Sequence, residues 1–153
     1  MPQLTYRPAT AADAAALTVL LNRSFAHWHH DQVFKRFMRG HMTITPQYIA
    51  EGTVQIALQG SQMVGFYALT HYNARKILLD TFFIDPVYIG QGNGRAMYAA
   101  AKATAKALGY PVMVIMADPH ALGFYEKMGA QLHNYWQPDK NEPLKLPVLN
   151  VAL

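Results

Sequence analysis

The stretch IDPVYIGQGNGRAMY, residues 84–98, puts three glycines within five positions, between an apolar run and an alanine-rich one. Asp85-Pro86 stops the apolar run, and residues 94–108 read as a helix closed by Gly109 with Pro111 just beyond. Glycine takes up positive φ and lets a backbone approach a ligand closely. At a helix N-terminus, unpaired N–H groups and the helix dipole favour an anion such as phosphate. Gly90, Gly92 and Gly94 therefore read as an anion-binding loop, and Arg95 adds positive charge. Behind it, Met97, Ala100, Ala101, Thr104 and Leu108 form the expected inward side of the helix, with Lys102 and Lys106 facing water.

Two better-known phosphate loops fail on spacing. A dinucleotide fingerprint counted from Gly90 needs glycine where Arg95 stands, and counted from Gly92 it needs glycine where Met97 stands. A nucleotide-triphosphate loop needs Gly-Lys-Ser/Thr, and none follows.

Outward from the loop, the pattern predicts a strand at residues 4–7 and a helix opened by Thr10, with Asp13 as its capping-box partner. Leu17, Leu20, Leu21, Ser24 and Phe25 recur at helical spacing. Residues 31–38 and 46–51 read as two shorter helices. Residues 53–58 and 63–71 read as a hairpin, and 76–84 as a third strand. Beyond the glycine helix, residues 112–117 form a continuous apolar run, hence a buried strand. Asp118-Pro119 opens a last helix ending at Met128-Gly129, and residues 131–135 and 146–153 supply two more strands. The expected fold is α/β (α+β): one domain over residues 1–153, with a mixed, mostly antiparallel twisted sheet and helices on both faces.

Composition narrows the chemistry. The 153 residues are 52% hydrophobic and 14% charged, enough for one sizeable core. With no cysteine, disulfides, thiolate metal sites and a cysteine nucleophile are excluded. A net charge of +4, spread without runs, suits an anionic ligand but lacks the dense basic stripe of a nucleic-acid binder. The opening residues carry no apolar signal and no run suggests a membrane span, so a cytoplasmic protein is expected, with no membrane or nucleic-acid partner. HWHHD, residues 27–31, offers no fixed ligand geometry, and no metal is expected.

The segment FFIDPVYIGQGNGRAMY, residues 82–98, resembles the acetyl-CoA loop of the GNAT superfamily of N-acetyltransferases. VMVIMADPHALGFYEKMGAQ, residues 112–131, resembles the strand and helix that follow it in that superfamily, and LTYRPATAADAAALTVLLNRSF, residues 4–25, resembles its opening. Two positions depart from the usual pattern. Ile89 stands where Arg or Gln is common, and Asp118, followed by His120, stands where Asn is frequent.

The resemblance implies direct transfer of an acetyl group from acetyl-CoA, as cosubstrate, to a primary amine of a small molecule or peptide. By position, Phe82, Phe83 and Ile84 would bind the pantetheine arm through their backbone. Gly90, Gln91, Gly92, Asn93, Gly94, Arg95 and Ala96 would wrap the pyrophosphate, and Asp118 would lie beside a cofactor amide. Tyr125 matches the tyrosine that protonates the departing thiolate; it also fits the buried stripe Ala121, Phe124, Tyr125 and Met128. Asp80, expected on the same side of its strand as Phe82 and Ile84, is the candidate general base or else a solvent-facing strand residue. Asp118 is equally suited to cap the helix it opens. His27, Trp28, His30, Tyr67 and His71 are the candidate acceptor contacts. A non-catalytic acyl-CoA-binding module of the same fold is the alternative, and pairing of two chains through the C-terminal strands is expected to be open to it.

Overall fold

Among the described residues, seven strands make one sheet in the order β1-β2-β3-β4-β5-β7-β6. The computed structural model describes residues 3–153. The strands are β1 (Thr5–Pro8), β2 (Thr53–Gln59), β3 (Gln62–His71), β4 (Lys76–Ile84), β5 (Val112–Met116), β6 (Gln131–Trp136) and β7 (Leu146–Ala152). Every neighbouring pair is antiparallel except β4 and β5, which the long connection through the glycine helix makes parallel. The helices are α1 (Ala14–His27), α2 (Gln32–Met38), α3 (Pro46–Glu51), α4 (Asn93–Ala107) and α5 (Leu122–Lys127). These elements match the expected order. The C-terminal strands are not both edges, however: β7 inserts between β5 and β6, and only β6 lies open.

The core is split by the sheet. One cluster joins Tyr67, Leu69, Ile77 and Leu79 to Met97, Tyr98, Ala101 and Ala105 of α4 and Tyr125 of α5. The other joins Val54, Ile56, Phe66 and Ala68 to Leu17, Leu20 and Leu21 of α1 and Ile49 of α3. Leu108, expected inside, is 47% exposed, because α4 ends at Ala107 and its inward row is completed by Tyr98 and Ala105. Small side chains let α4 sit low on the sheet. Gly65 of β3 lies beneath it: a Cβ there would stand 3.1 Å from Met97 Sδ of α4 and 2.5 Å from the Phe83 carbonyl oxygen of the neighbouring strand.

The N-terminal cap forms as its residues predict. The Asp13 carboxylate accepts from the Thr10 N–H at 2.8 Å and takes two 2.9 Å bonds from the Arg7 guanidinium. The Arg7 pair chiefly, helped by Thr10, holds the Asp13 carboxyl down at about 2. A depressed carboxyl stabilises the fold above its unfolded value near 3.8 and loses that contribution as pH falls through about 2. Arg7 is exposed, so the expected cost of Asp13→Ala is only about 1 kcal/mol. Thermal melts should show that deficit at pH 6 and its fading to nothing as pH falls below about 2; a gap that persisted in stronger acid would disconnect the cap from this ionisation.

Candidate active site

A cleft opens in the sheet between β4 and β5. Their parallel pairing ends at Leu79↔Ile115, yet β4 continues to Ile84 and remains bonded to β3. On the other side of the gap, β5 stays with β7 as far as the Ala117 N–H, which donates to the Pro147 carbonyl. A bulge causes the split. In the β3–β4 register Ala68 pairs with Thr81 and Leu69 with Leu79, leaving Asp80 as an extra residue that bends β4 away.

The bulge also resets side-chain direction. Leu79, Phe82 and Ile84 all pack with the α4 cluster, a spacing that strict alternation forbids. The expectation that Asp80 shares the side of Phe82 and Ile84 is therefore overturned. Its carboxylate accepts a 2.6 Å bond from the Tyr48 hydroxyl, and Tyr48 packs with the α1–α3 cluster. Burial first, and then the Asp80 charge, raises the Tyr48 hydroxyl well above the usual tyrosine range, so it remains a donor. Tyr48 is a site residue that the sequence did not announce.

Backbone alternation decides what β4 shows to the cleft. The Asp85 N–H donates to Val64 on β3, which turns the N–H and C=O groups of Ile84 and Phe82 to the open side. Phe83 is turned the other way: its oxygen faces Gly65, and its ring lies 6.0 Å from Phe66 on the opposite face. Of the three residues expected to offer backbone bonds, Phe82 and Ile84 can do so and Phe83 cannot.

At the lower end of β4 the glycine loop leads into α4. Gly90 and Gly92 adopt φ of 82° and 83°, and Gly92 is the N-cap. The first helical bond is Ala96 N–H to Gly92, so the N–H groups of Asn93, Gly94 and Arg95 lack acceptors within the helix. No acidic residue stands in that first turn. Gln91 and Asn93 act inside the loop, donating to the carbonyls of Val87 at 3.1 Å and Tyr88 at 3.0 Å. These two staples hold the loop although Ile89 contributes no polar side chain. Gly94 lies against α5, where a Cβ would stand 3.2 Å from the Phe124 ring.

Across the cleft, Asp118 follows β5. Its Oδ1 caps the next turn through the His120 N–H at 2.9 Å, and its Oδ2 lies 2.6 Å from Nε2 of His30. Tyr125 is 6% exposed, with its ring 6.1 Å from Phe82 and 5.9 Å from Tyr98. Burial, then Tyr98 and the Asp118 charge, raise its hydroxyl far above the usual range. The Tyr98 hydroxyl is buried with no protein partner.

The expected acceptor contacts separate. His27 and Trp28 are exposed at the end of α1, on the segment that His30 anchors to Asp118. The His30 side chain is only 1% exposed, so it stands behind Asp118 and not on an open surface. Tyr67 lies in the core and bonds Thr104 of α4 at 2.7 Å, which removes it from any acceptor pocket. His71 pairs with Ile77 at the end of β4 remote from the cleft, which removes it as well.

A parallel strand pair splayed by a bulge, with a glycine loop and helix N-terminus below the gap, is a frame for an extended phosphorylated ligand. The chain matches the sequence model of the acetyltransferase (GNAT) family over residues 19–130. It belongs to the GNAT acetyltransferases. Solved structures agree in fold along the whole chain. A GCN5-related N-acetyltransferase from Rhodopseudomonas palustris superposes with a TM-score of 0.79 at 19% identity, covering 100% of this chain and 98% of that one. PaiA N-acetyltransferase from Thermoplasma acidophilum, solved in complex with coenzyme A, gives 0.77 at 16% identity over 99% of each chain. A GNAT family acetyltransferase from Elizabethkingia anophelis with acetyl-CoA bound gives 0.71 at 18% identity over 98% of each. No curated protein matches the sequence. Among the described residues of this acetyltransferase, no helix is long and apolar enough to cross a membrane.

Proposed function

We propose that this GNAT acetyltransferase moves an acetyl group from acetyl-CoA directly to a primary amine of a small molecule or peptide. The observation that carries the reading is the open edge of β4 aimed at the glycine loop. Phe82 and Ile84 offer unpaired backbone groups, and the arm of the cofactor completes the ladder as an added strand. The unpaired N–H groups of residues 93–95, with Arg95, hold the pyrophosphate. Asp118 accepts from a cofactor amide on the β5 side.

Chemistry then falls at the neck of the cleft. The amine nitrogen attacks the thioester carbonyl carbon, the carbon–sulfur bond breaks, and the sulfur leaves as thiolate toward Tyr125. A β4 N–H steadies the carbonyl oxygen as its charge grows. The amine must shed a proton before or during attack, and Asp80, oriented by Tyr48, receives it. The acceptor enters from the α1–α3 face, opposite the glycine loop, because Asp80 and Tyr48 lie there.

Asp80→Asn should cut turnover about 100-fold while acetyl-CoA affinity stays within about twofold, and Tyr48→Phe should cost about tenfold. Equal turnover in Asp80→Asn and the parent would remove Asp80 as base. The founding experiment is calorimetric titration with acetyl-CoA against NADH and ATP controls, followed by thiol release with a panel of amines. Selective binding with turnover supports the transferase; binding without turnover on any amine supports a non-catalytic acyl-CoA module; no binding ends both.

A further inference from the structure

His30 makes a contact that neither capping nor packing requires. It lies on the short connection between α1 and α2, yet its Nε2 reaches Asp118, 88 residues on, at 2.6 Å. The ring is held in an aromatic box, stacked on Phe25 at 4.3 Å and 4.8 Å from Phe34. Its other nitrogen, Nδ1, is buried with no partner. These surroundings assign the tautomer. An ionised carboxylate only accepts, so the proton sits on Nε2. Nδ1 is then a bare lone pair, less costly to bury than an orphaned N–H. His30 is thus a fixed donor aimed at one carboxylate oxygen.

Ligand atoms of His30, Asp118 and His120 lie within 4.8 Å of one another, which invites a metal. The details oppose it. A tetrahedral ion sets its ligand atoms about 3.3 Å apart, wider than the 2.6 Å found. An ion on Nε2 would also force the proton onto Nδ1, inside the Phe25–Phe34 box with nothing to receive it.

We propose that His30 is a positioning residue for the cofactor: it pins the Asp118 carboxylate at the open end of β5, and so ties the segment between α1 and α2 to the bound acetyl-CoA. The inference rests on the cofactor reading above. Asp118 lies just past the end of β5 and is 29% exposed on its side chain, so without His30 its Oδ2 would be free to turn toward water. With Oδ1 spent on the His120 N–H and Oδ2 held by His30, the carboxylate keeps one orientation toward the cleft. Coupling runs both ways. A cofactor that binds the pinned Asp118 also steadies residues 28–34, the segment that carries exposed Trp28.

Calorimetry with acetyl-CoA tests this without knowledge of the acceptor. His30→Phe keeps the aromatic box and removes the donor; it should bind about tenfold more weakly, whereas His30→Gln, which restores an N–H, should return to within about twofold of the parent. Asp118→Ala should weaken binding to a similar degree, and adding His30→Phe to it should cost nothing further. Amide exchange of residues 28–34 should slow on adding acetyl-CoA in the parent and in His30→Gln but not in His30→Phe, an effect that packing alone does not produce. His30→Leu replaces the Phe variant if that variant does not fold. Parent-like binding by the donor-less variant, or additive losses in the double variant, would overturn the inference and leave the cofactor reading intact. Failure of the parent itself to bind would end both. A cobalt(II) titration that raised a tetrahedral visible band, lost with His30, would replace the pinning role with a metal site.

Discussion

Tyr125→Phe is expected to lower turnover about 100-fold and leave acetyl-CoA affinity within about twofold of the parent. The size follows from what the hydroxyl is in this site. Tyr125 is buried against Phe82, Tyr98 and Phe124, and burial, Tyr98 and Asp118 together push it well above the ordinary phenol value of about 10. A phenol so raised is a poor acid toward a relaxed thiol, whose own value is about 8.5. It is a good donor to charge that is still forming. The loss of one such preorganised donor costs about 10²–10³ in turnover, and the lower end suits a hydroxyl that keeps its proton until the carbon–sulfur bond has stretched. Because the shift is upward, the donor form persists through neutral and alkaline pH. The parent should therefore show no decline from Tyr125 ionisation up to about pH 10. Steady-state thiol release across pH checks both statements. A Phe variant with parent-like turnover would return Tyr125 to the core stripe it also occupies.

How far the sequence goes is instructive at particular residues. Apolar periodicity and turn chemistry gave the strands and helices in order, because Asp85-Pro86, Gly109 and Asp118-Pro119 punctuate them locally. The glycine loop was equally readable, since positive φ at Gly90 and Gly92 is a property of the residue itself. Asp80 was misdirected because a bulge leaves no mark on a two-residue period; it exists only in the pairing of β4 with β3. Phe83 was lost for a related reason: which backbone groups face the cleft depends on the Asp85–Val64 bond. Tyr67 and His71 lie on one hairpin strand, and only the packing shows that Tyr67 turns into the core while His71 stands at the end remote from the cleft. The pairs Tyr48–Asp80 and His30–Asp118 join residues 32 and 88 positions apart, a distance over which one sequence carries no signal.

Gly65→Ala is expected to be the most damaging added methyl at any glycine with an ordinary backbone, and its effect should reach the active site through β4. No loop or turn calls for this glycine; it sits in mid-strand, where glycine is normally a weakness. What requires it is approach. The added carbon would stand 2.5 Å from a backbone oxygen of β4 and 3.1 Å from Met97 Sδ. The methionine can rotate away. The oxygen cannot, because it belongs to the strand whose far side forms the cleft. Accommodation must come from β3 and β4 moving apart, and overpacking of that kind costs about 3 kcal/mol. For a domain of this size that is roughly a 10 °C fall in melting temperature. The same displacement shifts the N–H groups of residues 93–95 relative to Phe82 and Ile84, so acetyl-CoA affinity should fall about tenfold in protein that is still folded. Thermal melts and calorimetry at low temperature separate the two losses. Trimming Met97 to valine alongside should restore neither, since the sulfur is not the obstacle. Full recovery in that double variant would show that side-chain crowding alone holds the helix in place, and would break the link drawn here between a glycine in β3 and the grip on the cofactor.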